Sequence, residues 1–241
     1  MIVVLTYDHP HRKTQDLIFK LLANGIKPLV IATEWMEMNS FVPIISHRPS
    51  NPINISLSQF CKNLNLELLL TTKSNLYKVL SGFTNIEYLL LATGNIIETK
   101  IVDKFKVINS HPGYLPDIKG LDALKWAILY KRNIGVTTHF VNGQIDGGII
   151  IERKIVPIYY EDTFHNLSYR QYELEVELLV NSITCVPENI EIGESDFETF
   201  RRMPHRLEFR MLEMFEQLRK ESEFRTETNK NNNFNQQNTA S

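Results

Sequence analysis

Short apolar runs recur along the first half of the chain: IVVLT from Ile2, then PLVIAT, ELLLTT, YLLLAT and FKVINS, each separated from the next by polar or helix-patterned residues. Runs of this length without alternation read as strands buried on both faces. Between the first two, Leu17, Ile18, Leu21 and Leu22 fall at helical spacing and Gly25 follows, which predicts an amphipathic helix with a glycine stop. Strands that alternate with helices predict an α/β fold, a doubly wound, mostly parallel sheet of Rossmann-like type. A helix is predicted from about Leu121 to Tyr130. GVTTHFV and GGIIIERKIVPI follow as two further strands, because Val, Thr and Ile dominate them. From Glu161 to about Ile183 the pattern is helical again, with Phe164, Leu167, Leu174 and Leu178 on one stripe.

The last section changes character. DFETFRRMPHRLEFRMLEMFEQLRKESEFR mixes aromatics and charge and is broken by Pro204, so a short and a longer helix are expected as a small helical C-terminal appendage. After it, TETNKNNNFNQQNTAS has little to bury and is expected to be loosely ordered. This divides the chain into a main α/β domain over 1–183, a helical extension over 184–224 and an Asn-rich tail over 225–241. The stripe of Leu207, Met211, Met214, Phe215 and Leu218 is apolar enough to cover its own core or to pair with a second copy, and a homodimer built on it is expected.

Composition narrows the function classes. With 241 residues, 43% of them hydrophobic, and a formal net charge of -2, the chain supports one sizeable core and has no electrostatic footprint for nucleic acid. No apolar run approaches the roughly 20 residues that span a bilayer, and MIVVLTYDHPHRK places its basic residues after the apolar run, the reverse of a signal peptide. A cytoplasmic protein with neither nucleic acid nor membrane as partner is expected. Cys61 and Cys185 stand in no metal-ligand spacing and read as reduced packing residues.

Several site types drop out. TYDHPHRK, the turn after the first strand, contains no glycine, so neither a dinucleotide fingerprint nor a P-loop forms there, and no G-x-S-x-G elbow occurs anywhere. His9 and His11 flank Pro10 without a nearby third ligand and are read as solvated, with no metal expected. What stands out is VINSHPGYLPDIKG, Val107 to Gly120: a β-branched strand ends in Asn109 and His111, two residues apart and so on one face, just before a turn at Pro112-Gly113. Gly135-Val-Thr-Thr-His139-Phe-Val141 and Ile145-Asp146-Gly-Gly-Ile-Ile150 follow in order.

These three blocks resemble the folate-dependent formyltransferase family, whose members show Asn-x-His-Pro-Ser/Gly-x-Leu-Pro, then Gly-x-Thr-x-His and Asp-x-Gly-x-Ile. The resemblance covers about residues 1 to 180 and implies a catalytic trio of Asn109, His111 and Asp146. It implies N10-formyltetrahydrofolate as formyl donor to a primary amine. The Asn109 amide and a charged His111 would donate to the oxyanion, with Asp146 holding the imidazolium and helping to move the amine's proton. By the same resemblance the folate would lie against Thr93, Gly94, Asn95, Ile96 and Ile97 and against Val141 and Asn142, with His139 as a structural, folate-contacting or catalytic residue. Gly113, where many relatives have serine, is expected to loosen the turn.

The acceptor is narrowed by what the chain lacks. Glycinamide ribonucleotide transformylases bind phosphate on a glycine- and serine-rich first loop, initiator-tRNA formyltransferases carry a basic second domain, and formyltetrahydrofolate hydrolases carry a regulatory domain before the catalytic one. HPGYLPDIKG followed by Trp126 is similar to bacterial sugar N-formyltransferases. That resemblance implies a nucleotide-linked amino sugar as substrate, foremost dTDP-4-amino-4,6-dideoxyglucose, in O-antigen or other surface polysaccharide biosynthesis. A 3-amino sugar, a UDP-sugar, glycinamide ribonucleotide, aminoacyl-tRNA or a catalytically idle binding protein are the alternatives. For the acceptor and its phosphates the candidates are Gly113, Tyr114, Lys119, Arg12, Lys13, Arg48, Arg201 and Arg202.

Overall fold

The computed structural model describes residues 1–35, 42–50, 52–94, 97–144, 146–188, 190–192 and 198–237, with backbone alone at 191 and 223–237. In chain order the elements are β1 (Ile2–Tyr7), α1 (Arg12–Ala23), β2 (Leu29–Thr33), α2 (Leu57–Asn63), β3 (Leu68–Leu70), α3 (Leu76–Ser81), β4 (Tyr88–Leu91), α4 (Thr99–Val102) and β5 (Val107–His111). They continue as β6 (Lys119–Gly120), α5 (Ala123–Leu129), β7 (Gly135–Val141), β8 (Gly148–Ile155), α6 (Phe164–Asn181), β9 (Glu191–Ile192), β10 (Thr199–Phe200) and α7 (His205–Gln237).

One sheet runs β3-β2-β1-β4-β5-β7-β8-β9. It is parallel from β3 to β5, and β7, β8 and β9 extend it antiparallel. The pleat explains the unbroken apolar runs. Ile2 and Val4 face Leu17, Leu21, Tyr172 and Val176 of α1 and α6, while Val3 and Leu5 face Leu76, Leu80 and Ile101 of α3 and α4. The order reverses beside β1, since β2 lies on one side and β4 on the other. The crevice at the carboxyl ends of β1, β4 and β5 is therefore the place where such a sheet leaves room for a ligand. Among the described residues no helix is long and apolar enough to cross a membrane.

The C-terminal part differs from the sequence expectation. Where a short helix is expected before Pro204, Thr199 and Phe200 instead form β10, parallel to Lys119 and Gly120 of β6, because Phe200 is drawn into the aromatic packing of Trp126. The helix α7 starts after Pro204 and its backbone runs to Gln237, through much of the segment expected to be loose. Neither proline nor glycine occurs between His205 and Gln237 to stop it, and residues 238–241 lie outside the description. Met211 and Phe215 are buried with Ala123, Ala127 and Ile128 of α5, and Leu207, Met214 and Leu218 pack around them. The stripe thus packs on the chain's own core through Met211 and Phe215, while Leu207, Met214 and Leu218 stay partly exposed.

Candidate active site

A cavity of about 530 Å³ opens at the carboxyl ends of β1, β4 and β5. Asn109, His111, His139 and Asp146 line it together. The β5–β7 register brings them there: Asn109 lies opposite His139 and His111 opposite Thr137, so alternate residues of two adjacent strands share one face.

Hydrogen bonds fix the chemistry of each group. His139 Nδ1 lies 2.9 Å from the Gly147 carbonyl, which can only accept, so Nδ1 carries the proton and Nε2 is a bare lone pair. Asn109 Nδ2 donates to that lone pair at 3.3 Å, which orients the amide and leaves its second N–H for the cavity. Burial pushes His139 down to about 4 and keeps the imidazole neutral, as this chain of bonds requires. His139 therefore stands as a positioning residue for Asn109.

His111 is placed differently. Its Nε2 faces the Ile118 carbonyl at 3.0 Å and its Nδ1 faces Asp146 Oδ1 at 3.3 Å, so both ring nitrogens look at acceptors and only the doubly protonated ring satisfies both. The other Asp146 oxygen accepts from Gly120 N–H at 2.7 Å. Gly120 has φ +90°, and a Cβ there would stand 2.2 Å from the Phe200 carbonyl, so only glycine lets β6 and β10 close together and present this amide. The C-terminal segment thereby helps to place the aspartate. At Gly113 the sequence expectation is corrected. A Cβ would meet His111 Nε2 at 2.5 Å and the Ile118 carbonyl at 2.8 Å, so the glycine makes room for the imidazole rather than loosening the turn. Thr137 Oγ1 donates to the Gly113 carbonyl and accepts from Leu115 N–H, which ties that turn to β7.

The binding candidates divide. Thr93, Gly94, Ile97, Val141 and Asn142 line the cavity, whereas Asn95 and Ile96 lie outside the described residues, as does Ile145. Of the cations, Lys13, Arg48 and Arg202 line it; Arg12, Arg201 and Lys119 are not among its described lining residues, nor are Gly113 and Tyr114. Arg12 pairs with Asp16 at 2.6 Å, Arg201 is solvent-facing and gives its carbonyl to the Trp126 indole N–H, and Tyr114 lies under the Arg153 guanidinium.

Sequence reading missed Tyr7, His11, Trp35, His47, Ser110 and Glu175, all of which line the cavity. Glu175 carried a signal: it lies between Tyr172, Val176 and Leu179 on the buried face of α6, where a lone carboxylate needs partners. Its two oxygens meet Lys13 Nζ and Arg48 NH1, each at 2.7 Å. Burial pushes this carboxyl up, but Arg48 and Lys13 outweigh it and leave Glu175 at about 2. Ser110 Oγ is buried with no hydrogen-bond partner among the described residues, and Ser110 lines the same cavity.

Burial also pushes His11 to about 4, with Lys13 and Arg48 adding to the effect, and His47 to about 3. Together with His139 these groups are neutral in the folded chain but take up protons when unfolded, from an ordinary value of 6.5. Their contribution is complete above pH 6.5 and is lost as pH falls from there toward 4, and toward 3 for His47, while that of Glu175 is lost only from pH 4.5 toward 2. The unfolding free energy should therefore drop by at least about 1 kcal/mol per pH unit between pH 6.5 and 5, measured by urea titration at each pH. Constant stability over that interval would show that these rings are charged, or solvated, in the native protein.

Comparison with known proteins adds an independent line. Residues 69–183 match the formyl transferase family model. A phosphoribosylglycinamide formyltransferase of Haemophilus influenzae is 37% identical over 86 residues, 34% of this chain; the matched stretch spans about two fifths of that relative's length, 41%. Among solved structures, a sugar N-formyltransferase from a Shewanella species superposes with TM-score 0.57 and 20% identity over 83% of this chain and 76% of that one. An N-formyltransferase from Helicobacter canadensis, solved with folinic acid and dTDP-3-aminofucose, superposes with TM-score 0.58 and 22% identity over 83% of this chain and 70% of that one.

Proposed function

From the premise that residues 69–183 of this chain form a formyl transferase domain of the folate-dependent family, we propose that the protein moves a formyl group from N10-formyltetrahydrofolate to the primary amine of a nucleotide-linked amino sugar. The observation that carries the reading is the pair of hydrogen-bond chains at the cavity floor. Gly147–His139–Asn109 fixes an amide donor, and Gly120–Asp146–His111–Ile118 fixes an imidazolium beside it, on one strand face.

When an amine adds to a formyl carbon, the formyl oxygen gains negative charge. The free N–H of Asn109 and the charge on His111 stabilise that oxygen, and the Nε2 proton leaves the Ile118 carbonyl for it as it becomes the stronger acceptor. Asp146, 3.3 Å from His111 Nδ1, stands ready for the proton that the amine sheds; as the oxyanion collapses the bond from the formyl carbon to N10 breaks, and that proton goes to the departing N10. The wall formed by Thr93, Gly94, Ile97, Val141 and Asn142, which sets the apolar side chains of Ile97 and Val141 beside the polar ones of Thr93 and Asn142, suits a flat, hydrogen-bonding pterin, and the folate held there supplies the formyl carbon.

The opposite wall supports an anionic acceptor. Lys13 and Arg48 share the single carboxylate of Glu175, so that corner holds one positive charge in excess, and the Ser110 carbonyl lies 3.5 Å from Lys13 Nζ with a hydroxyl that has no partner among the described residues. Arg202, paired with Asp122 at 2.7 Å, closes the same wall. The dTDP-aminosugar bound by the Helicobacter canadensis protein has the chemistry this corner favours. The test is single-turnover formylation with N10-formyltetrahydrofolate and, separately, dTDP-linked 3- and 4-amino sugars, their UDP counterparts, glycinamide ribonucleotide and an aminoacyl-tRNA. Transfer to a sugar nucleotide at least a hundredfold faster than to the last two is expected. Transfer only to glycinamide ribonucleotide would move the acceptor to that class.

A further inference from the structure

The chain has two tryptophans, and they are used in opposite ways. Trp126 is buried, donates its indole N–H to the Arg201 carbonyl and stacks against both Phe200 and Tyr130, which also meet each other. Trp35 follows β2 directly, lines the cavity and leaves 45% of its surface exposed. A ring of this size left half-uncovered at a cavity mouth gives up a large apolar area to water unless a ligand covers it.

Trp35 also has ring neighbours on two sides. The Tyr7 ring meets it edge-on at 4.7 Å, and Tyr7 is itself fixed at its far end, where its hydroxyl accepts from Gly94 N–H at 2.7 Å. The β1–β2 register, with Tyr7 opposite Thr33, sets the two rings side by side. His9 stacks on the indole at 5.1 Å with 24° between the ring planes. Tyr7, His9 and Trp35 therefore make an aromatic shelf on the rim. His11, Lys13 and Arg48 line the same cavity, with the catalytic amide of Asn109 in its floor.

We propose that Trp35 is the stacking surface for the heterocyclic base of a nucleoside diphosphate-linked acceptor, whose diphosphate lies along Lys13 and Arg48. The inference rests on the reading of the acceptor given above and adds to it the residue that recognises the base. A flat ring, an anionic diphosphate and an amine that reaches the formyl carbon beside Asn109 are needed in one molecule to match the shelf, the cationic corner and the reacting end of the cavity, and a nucleotide-linked amine has all three.

Intrinsic fluorescence of the full chain reads the shelf, because Trp126 is shielded and Trp35 is not. Titration with dTDP or UDP should quench the emission, and inorganic pyrophosphate should bind without quenching. Trp35→Leu should weaken nucleoside diphosphate binding by about tenfold in calorimetry, the effect of losing one stacked base, while pyrophosphate and folinic acid affinities stay within about twofold of the parent. Trp35→Phe keeps a ring and should recover most of the loss, which separates stacking from a folding defect. Equal nucleotide affinity in parent and Trp35→Leu, an equal loss for pyrophosphate, or a loss confined to folinic acid would each overturn the proposal. The two readings fail separately. Sugar-nucleotide formylation with an unchanged KM in Trp35→Leu removes the shelf alone, and Trp35-dependent nucleotide binding without formyl transfer removes the acceptor reading alone.

Discussion

Replacing His111 by Asn, or Asp146 by Asn, is expected to lower turnover at least about a hundredfold while the far-ultraviolet circular dichroism stays that of the parent. His111→Asn removes the charge that faces the developing oxyanion. Asp146→Asn keeps the shape but puts an amide where the ring needs an acceptor at 3.3 Å, so the doubly protonated imidazole loses its counter-charge. The two groups act as one unit, so the double variant should be little worse than either single one. The loss should fall on kcat rather than on KM, because both interactions strengthen as charge develops in the transition state. If either variant keeps more than about a tenth of the parent's turnover, oxyanion stabilisation by this pair is not the mechanism.

How far the sequence reveals this site depends on how local each contact is. The alternation of strands and helices in a mostly parallel sheet was readable, because a parallel strand announces itself by an unbroken apolar run, and Asn109, His111 and Asp146, which sit in short ordered blocks, come together at one cavity. The tautomer of His139 was not readable. It depends on the Gly147 carbonyl and on burial, both of which arise only when β7 and β8 pair. Glu175 and Lys13 are separated by most of the chain and meet only because α1 and α6 share a sheet face. Pro204 was correctly read as a break, yet what precedes it is a strand, since the pull on Phe200 comes from Trp126 and Gly120 rather than from its own neighbours. The stripe on α7 was read correctly as apolar, but a stripe does not name its partner: α5 covers it, and only the tertiary fold says so.

That helix carries the other large effect. Glu208 follows Leu207 and precedes Met211 and Phe215 by three and seven residues, so its carboxylate points into the face that packs on α5 and is fully buried. There it holds Lys125 Nζ at 2.5 Å, itself fully buried, and its other oxygen accepts from Ile44 N–H at 2.8 Å and Ile45 N–H at 3.2 Å. Glu208→Ala strands a buried ammonium whose nearest remaining carboxylate, on Asp122, is 3.9 Å away, and it also strands two backbone donors. The expected cost is about 3–5 kcal/mol of unfolding free energy, since breaking one side of a buried pair leaves the other uncompensated. Removing both charges in Lys125→Met with Glu208→Gln, which keeps an amide oxygen for the Ile44 and Ile45 donors, should recover at least about half of that loss. The effect should reach the site as well. The segment held by Glu208 leads directly to His47 and Arg48 in the cavity wall, so the single variant should raise the acceptor KM more than it lowers kcat. Urea titration of the parent, the single and the double variant decides the matter: a single variant within about 1 kcal/mol of the parent would mean that Lys125 reaches water and that α7 does not lock this wall.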